Sequence, residues 1–179
     1  MQSQKQRTVL RTFRIPEDLN NKLEEESNLK RINTSSIVNS ILNKYEQWDT
    51  YAKRFRFISI TKDTFVRLIS GYDEDEIIRF ADEVSSRAVL DFMSFKFGKL
   101  NIRSFLECMQ LITSYGYMAE LEIKNDGTYY SLRIAHTMGR KVSIYFGQVT
   151  KDLLHYITEI ESELNISENL VTLNFVAKE

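Results

Sequence analysis

A chain of 179 residues with 42% hydrophobic content can bury a core in one medium domain or two small ones. No run approaches 18 uninterrupted apolar residues, which excludes a membrane-spanning helix; MQSQKQR has no apolar stretch behind it, so no signal peptide is expected, and a lone cysteine, Cys108, forms no internal disulfide, which fits a reducing cytoplasm. The net charge of −1 hides an asymmetry: residues 1–54 hold 10 Lys/Arg against 7 Asp/Glu, giving +3, and residues 55–179 hold 14 against 18, giving −4.

The basic end comes first in the chain. Lys5, Arg7, Arg11 and Arg14 precede any acid, and a basic front on an acidic body favours a polyanion at one end only. TVLRTFRI, Thr8–Ile15, reads as a strand. With a period of two, Phe13 and Ile15 share one face and Leu10, Thr12 and Arg14 the other. A lone strand leaves its backbone donors and acceptors unpaired, and two copies pairing as an antiparallel ribbon solve that problem. Such a ribbon fits the major groove of B-DNA. There Arg14 can chelate guanine O6 and N7, Thr12 can bond a base edge, and Leu10 can touch a thymine methyl. The blander alternative is a solvated edge strand.

Pro16, the only proline, opens a helix predicted over Glu17–Arg31, where its missing N–H costs nothing. Glu17 and Asp18 suit the positive end of that helix, and Leu19, Leu23 and Leu29 supply its buried stripe. A second helix is predicted over Thr34–Trp48, with Ile37, Val38, Ile41, Leu42, Tyr45 and Trp48 at three-four spacing. Asn33 or Thr34 caps it and Ser35 adds a hydroxyl. The N–H groups there suit a phosphate, although an ordinary helix cap explains the same residues.

RTFRIPEDL and RINTSSIVNSILNKY together resemble the ribbon-helix-helix DNA-binding domains of the MetJ/Arc type, over about residues 8–48. The resemblance implies an obligate dimer and a prokaryotic transcription regulator of the repressor kind, bound to double-stranded DNA. Leu10, Thr12 and Arg14 take the base-facing positions. Asn33, Thr34 and Ser35 form the phosphate-facing helix start, with Lys5 and Arg7 as further phosphate contacts. Two positions depart from the family pattern. Arg31 stands where the turn usually holds glycine, and Arg11 lies on the face that is normally apolar.

Domain boundaries are expected at 1–50 for this module and 51–179 for an α+β regulatory or oligomerisation domain. Glycine is absent from the first 70 residues, and all six punctuate the rest. A strand is predicted over Arg56–Ile60, then helices over Asp63–Ser70, Asp73–Phe95 and Ile102–Tyr115. MAELEIK and TYYSLRIAH flank Asn125-Asp126-Gly127, which reads as a hairpin. Val142, Tyr145, Phe146, Val149, Leu153, Tyr156, Ile157 and Ile160 share one face of a long helix. Leu170–Val176 is the last strand. That order is βαββαβ, the ferredoxin-like plan with extra helices. It implies a two-layer α/β sandwich like the ACT-type effector domains joined to ribbon-helix-helix modules in the nickel-responsive repressors.

No chemistry beyond binding is marked. His136, His155 and Cys108 are far apart in sequence, and neither a C-x-x-C nor an H-x-H occurs, so no metal or other cofactor is expected. The run Tyr72–Glu76 reads as an acidic helix start, and Met138-Gly139-Arg140-Lys141 as a solvated basic turn. No nucleophile stands beside a recognisable base, so no enzyme is expected. The leading reading is a cytoplasmic homodimer, or a tetramer formed by two such dimers, that regulates transcription, with an effector of unknown identity. The alternatives are an antitoxin-type autorepressor, disfavoured by the long folded-looking second part, and a protein that uses the ribbon-helix-helix only to dimerise.

Overall fold

The computed structural model describes residues 9–177. The chain is mixed α and β and divides into two compact units between Glu46 and Gln47, four residues before the expected boundary. Trp48 is therefore part of the second unit.

The first unit is a helix pair, α1 (Glu17–Lys30) and α2 (Thr34–Lys44). Pro16 sits at the N-cap with extended ψ, and its carbonyl accepts from Asn20 N at 3.1 Å, which starts α1 where the sequence places it. Residues 9–15 form neither helix nor ladder. The strand expected over Thr8–Ile15 is therefore not formed among its described residues, and a strand forms only where its backbone groups find a ladder partner.

A wide π-type turn, Tyr45–Asp49, runs across the division between the units, and α3 (Thr50–Arg54) follows it in the second unit. Helices α4 (Lys62–Ser70), α5 (Glu74–Glu83), α6 (Leu90–Phe97) and α7 (Ile102–Gly116) come next, with a second π-type turn, Val84–Val89, between α5 and α6. Strands β1 (Glu120–Asn125) and β2 (Tyr129–Ala135) make the expected hairpin. Helix α8 (Arg140–Thr158) leads to β3 (Ser162–Ile166) and β4 (Leu170–Val176).

The sheet is antiparallel throughout, in the order β1-β2-β4-β3. Leu132 and Ile134 of β2 face Leu173 and Val171 of β4 in register, and all four are buried. With Phe92, Met93, Phe105, Cys108, Leu153 and Leu154 from the helices they form the main core. Of the alternate residues, Glu122, Lys124 and Arg133 are exposed, and Ser131, Thr172 and Asn174 are half-buried. One face of the sheet is thus covered by helices and the other is polar.

The ferredoxin-like order is replaced by ββαββ. Two segments account for the difference. Arg56–Ile60 is not a strand: Phe57 packs on Trp48 and Phe92, with ring centroids 5.4 and 5.6 Å away, while Ile58 is 82% exposed. The alternation there reflects aromatic anchoring on a helical cluster. Ser162–Ile166 is a strand that the longer helical period obscured, since α8 ends at Thr158 with Glu159 in the left-handed region.

Gly147 lets α8 approach β3. A Cβ at this position would lie 3.1 Å from Leu164 Cδ1 and 3.3 Å from Ile166 Cδ1, so its place inside a 19-residue helix reflects close packing. The hairpin turn is set by Asp126, whose carboxylate accepts from Thr128 N at 3.0 Å and Tyr129 N at 2.8 Å, with Gly127 at φ 98°. Those two N–H groups hold the Asp126 carboxyl below its usual range.

Candidate nucleic-acid interface

The turn between α1 and α2 decides whether the helix pair can present α2 to a ligand. Arg31 adopts the left-handed conformation, φ 54° and ψ 39°. Its N–H donates to Asn28 O at 3.3 Å, and Ile32 N donates to Ser27 O at 3.1 Å. Ser27 Oγ donates in turn to Ile32 O at 2.5 Å. The last carbonyls of α1 are thus satisfied by a left-handed cap of the kind that glycine usually provides. Arg31 accepts the Cβ penalty of that conformation, roughly 1–2 kcal/mol.

Asn33 caps α2. Its Oδ1 accepts from Ser36 N at 2.7 Å and from Ser36 Oγ at 2.9 Å. Thr34 and Ser35 occupy the first turn, where N–H groups have no intrahelical acceptor; Thr34 is half-buried and Ser35 exposed. The capping role falls to Asn33. Ser36, which the sequence reading passed over, completes the cap. Its signal was the spacing Asn33-x-x-Ser36.

Of the residues expected to read bases, Leu10 is 88% exposed and Thr12 and Arg14 are also exposed. They are not brought together on a ladder face. Lys5 and Arg7 lie outside the described residues. The opposite set is exposed as well: Phe13 is 63% exposed, and Val9 and Ile15 are open to solvent.

The helix pair behind this segment buries little. Leu23 of α1 and Ile37 of α2 are the buried apolar residues of the two helices. Leu19, Ile41, Leu42 and Tyr45 are exposed. Leu29, expected in the stripe of α1, is 84% exposed and does not belong to it.

In the second unit the candidate ligands have structural partners. Burial and, after it, the Lys62 charge lower the His136 pKa. Its Nδ1 accepts from Met138 N at 3.1 Å, and its Nε2 lies 2.9 Å from Ser143 Oγ. His155 Nδ1 lies 3.6 Å from Glu161 Oε1. Cys108 is buried in the core, and burial pushes its thiol up to about 12. Among the described residues, no three His, Cys, Asp or Glu side chains group to hold a metal ion.

The basic turn after the hairpin is also engaged. Lys141 Nζ donates to Ser70 O at 3.0 Å and Tyr72 O at 2.6 Å, where it closes the end of α4, and Arg140 lies 3.6 Å from Glu74. Asp73 and Glu76 form a reciprocal capping box at the start of α5, so the acidic run is a helix start. Among the described residues no helix is long and apolar enough to cross a membrane. No protein-family model matches this chain, and no curated protein is similar enough to stand as a relative.

Proposed function

We propose that the chain is a homodimeric, sequence-specific DNA-binding transcription regulator. Its first unit would insert an antiparallel ribbon into the major groove. The observation that carries this reading is the apolar surface of the helix pair. Two side chains, Leu23 and Ile37, are buried in α1 and α2, while Phe13, Ile15, Leu19, Ile41, Leu42 and Tyr45 are exposed. A helix pair with so small a core does not offset its ordering entropy alone. A second copy supplies the missing half, because a two-fold interface brings the same patch to both sides.

Pairing through residues 8–15 in that dimer satisfies the unpaired backbone and turns Phe13 and Ile15 onto the helices. Leu10, Thr12 and Arg14 then face outward together. Arg14 makes a bidentate contact to guanine, Thr12 bonds a base edge, and Leu10 meets a thymine methyl. The first turn of α2, through the Thr34 and Ser35 N–H groups, holds a phosphate, and Lys5 and Arg7 add charge along the backbone. The Asn33 cap fixes the direction in which that first turn points. The second unit would serve as a sensor or oligomerisation domain.

The test is selection from a randomised duplex pool, followed by binding measurements over a salt series. An Arg14→Ala/Thr12→Ala double variant is carried in parallel. Enrichment of a palindromic or tandem site, lost in the variant, is the expected result. Weak binding that is steeply salt-dependent and equal in the variant would mean nonspecific phosphate contact. The module would then be a dimerisation device only.

A further inference from the structure

The second unit contains a cavity of 250 Å³ among α7, α8 and the residues around them. Trp48, Phe65, Tyr145 and Phe146 are its aromatic walls, and the hydroxyls of Thr113 and Thr150 are among its few polar groups. Both threonine hydroxyls already have acceptors: Thr113 Oγ1 donates to Met109 O at 2.8 Å and Thr150 Oγ1 to Phe146 O at 2.7 Å. Neither calls for a polar partner from a ligand. We propose that this cavity binds a small uncharged aromatic compound of one or two rings, and that the compound is the effector of the regulator; the second clause rests on the function proposed above.

Three observations converge on that assignment. The cavity is half-open and its lining is almost wholly apolar, the character of a small-molecule site. A dry cavity of about 150 Å³ lined by Leu, Ile and Phe takes up benzene, and this one is larger and more aromatic.

Two of the segments that line it are also π-type turns. Trp48 lies in the π-type turn Tyr45–Asp49, and Val84 and Val89 lie in the π-type turn Val84–Val89; all three line the cavity. Such turns widen a helix locally and concentrate at functional sites. Thr113 and Thr150 are each bonded back to the preceding turn, of α7 and α8 respectively.

The aromatic walls are held in fixed orientations. Phe65 lies 5.5 Å from Tyr145 and 6.3 Å from Phe146, centroid to centroid, the second pair stacked. Burial pushes the Tyr145 phenol up to about 12, so this wall carries no charge at neutral pH. An ionised ligand would find no counter-charge among these groups. Trp48 is two residues past the boundary between the units, so an occupant touches the chain segment that leads out of the helix pair.

Trp48 is the single tryptophan and therefore a built-in reporter. Bromobenzene, a heavy-atom quencher of a size to enter, is titrated into the full-length protein without DNA. The expected result is saturable quenching of Trp48, weakened at least tenfold in Val149→Phe, which fills the cavity. Linear quenching, or equal saturation in a folded Val149→Phe variant, overturns the site. Should that variant fail to fold, Ile112→Ala enlarges the cavity instead, and naphthalene is expected to bind it more tightly than wild type; no gain overturns the site.

The effector role is read separately, as the affinity for the selected duplex with and without saturating bromobenzene. A change of fivefold or more is expected. Saturable binding with no change in duplex affinity overturns the effector role and leaves the cavity assignment standing. Failure to select any duplex overturns the DNA-binding reading and leaves the quenching result independent of it.

Discussion

His136 Nε2 lies 2.9 Å from Ser143 Oγ, and that hydroxyl donates onward to Glu168 O at 3.1 Å. Because His136 Nδ1 accepts from Met138 N, the ring is neutral with its proton on Nε2. The chain of bonds ties the end of β2 to α8 and to the β3–β4 turn. Protonation would put a donor on Nδ1 against the Met138 N–H and lose that bond, while Nε2 would go on donating to Ser143.

The pH dependence follows from the direction of the shift. Burial, with the Lys62 charge second, lowers the His136 pKa below its ordinary value. The unfolded chain then binds the proton more readily, so stability is present above an unfolded pKa of about 6.5 and falls as pH drops through and below it. Thermal unfolding between pH 8 and 5 is expected to show this loss, and a folded His136→Gln variant is expected to flatten it. A slope that is the same in both would remove His136 as its source.

Arg31 at φ 54° makes a second prediction. Glycine at this position removes a Cβ penalty of roughly 1–2 kcal/mol but adds unfolded-chain entropy of about 0.5–1 kcal/mol. Arg31→Gly is therefore expected to stabilise the protein by about 0.5–1 kcal/mol, read as a raised denaturant midpoint at unchanged slope. A lowered midpoint would mean that the arginine side chain makes a contact worth more than the backbone strain.

The sequence was most legible where a local rule decides the outcome. Pro16 began α1, Asn125-Asp126-Gly127 made the hairpin, and the period of α8 outweighed Gly147. It was least legible where long-range packing overrides local pattern. The alternation at Arg56–Ile60 came from Phe57 anchoring on Trp48 and Phe92, which no window of sequence contains. Strand β3 was hidden because Ile157 and Ile160 extend the helical period of α8, although Glu159 in the left-handed region ends it. At the candidate interface the cap at Asn33 was readable. The ladder proposed for residues 8–15 would depend on a second chain. A cavity lined in part by two π-type turns leaves no sequence mark.

Ile41 provides the test of dimerisation. It is exposed in the single chain, where an acid would change stability by no more than about 0.5 kcal/mol. In a two-fold dimer the same side chain meets its apolar counterpart, and a buried unpaired charge costs several kcal/mol. Ile41→Glu is expected to convert a dimer to a monomer by sedimentation equilibrium and to abolish the concentration dependence of the Tm. A variant that stays dimeric would place the interface on another face.

Among the described residues, Asp152 carries a buried carboxylate oxygen without a hydrogen-bond partner. Gln148 Nε2 donates to its Oδ1 at 2.7 Å, while Oδ2 is buried with no hydrogen-bond partner. Burial raises its pKa; the Gln148 bond opposes that and the neighbouring Asp82 charge adds to it. Asp82 also accepts a hydrogen bond from Tyr156 Oη, and that contact pushes the phenol up to about 12. A carboxyl whose folded pKa is raised destabilises the protein increasingly as pH rises above its unfolded value of about 3.9, so the cost is fully present at neutral pH. Asp152→Asn keeps the acceptor for Gln148 and removes the charge. Since the side chain is partly solvated, the gain is expected to be small, about 0.5–1 kcal/mol at pH 7, and to vanish near pH 4. Equal stabilisation at both pH values would trace the effect to packing, and a loss at pH 7 would show that the Asp152 charge is held by a partner that offsets its burial.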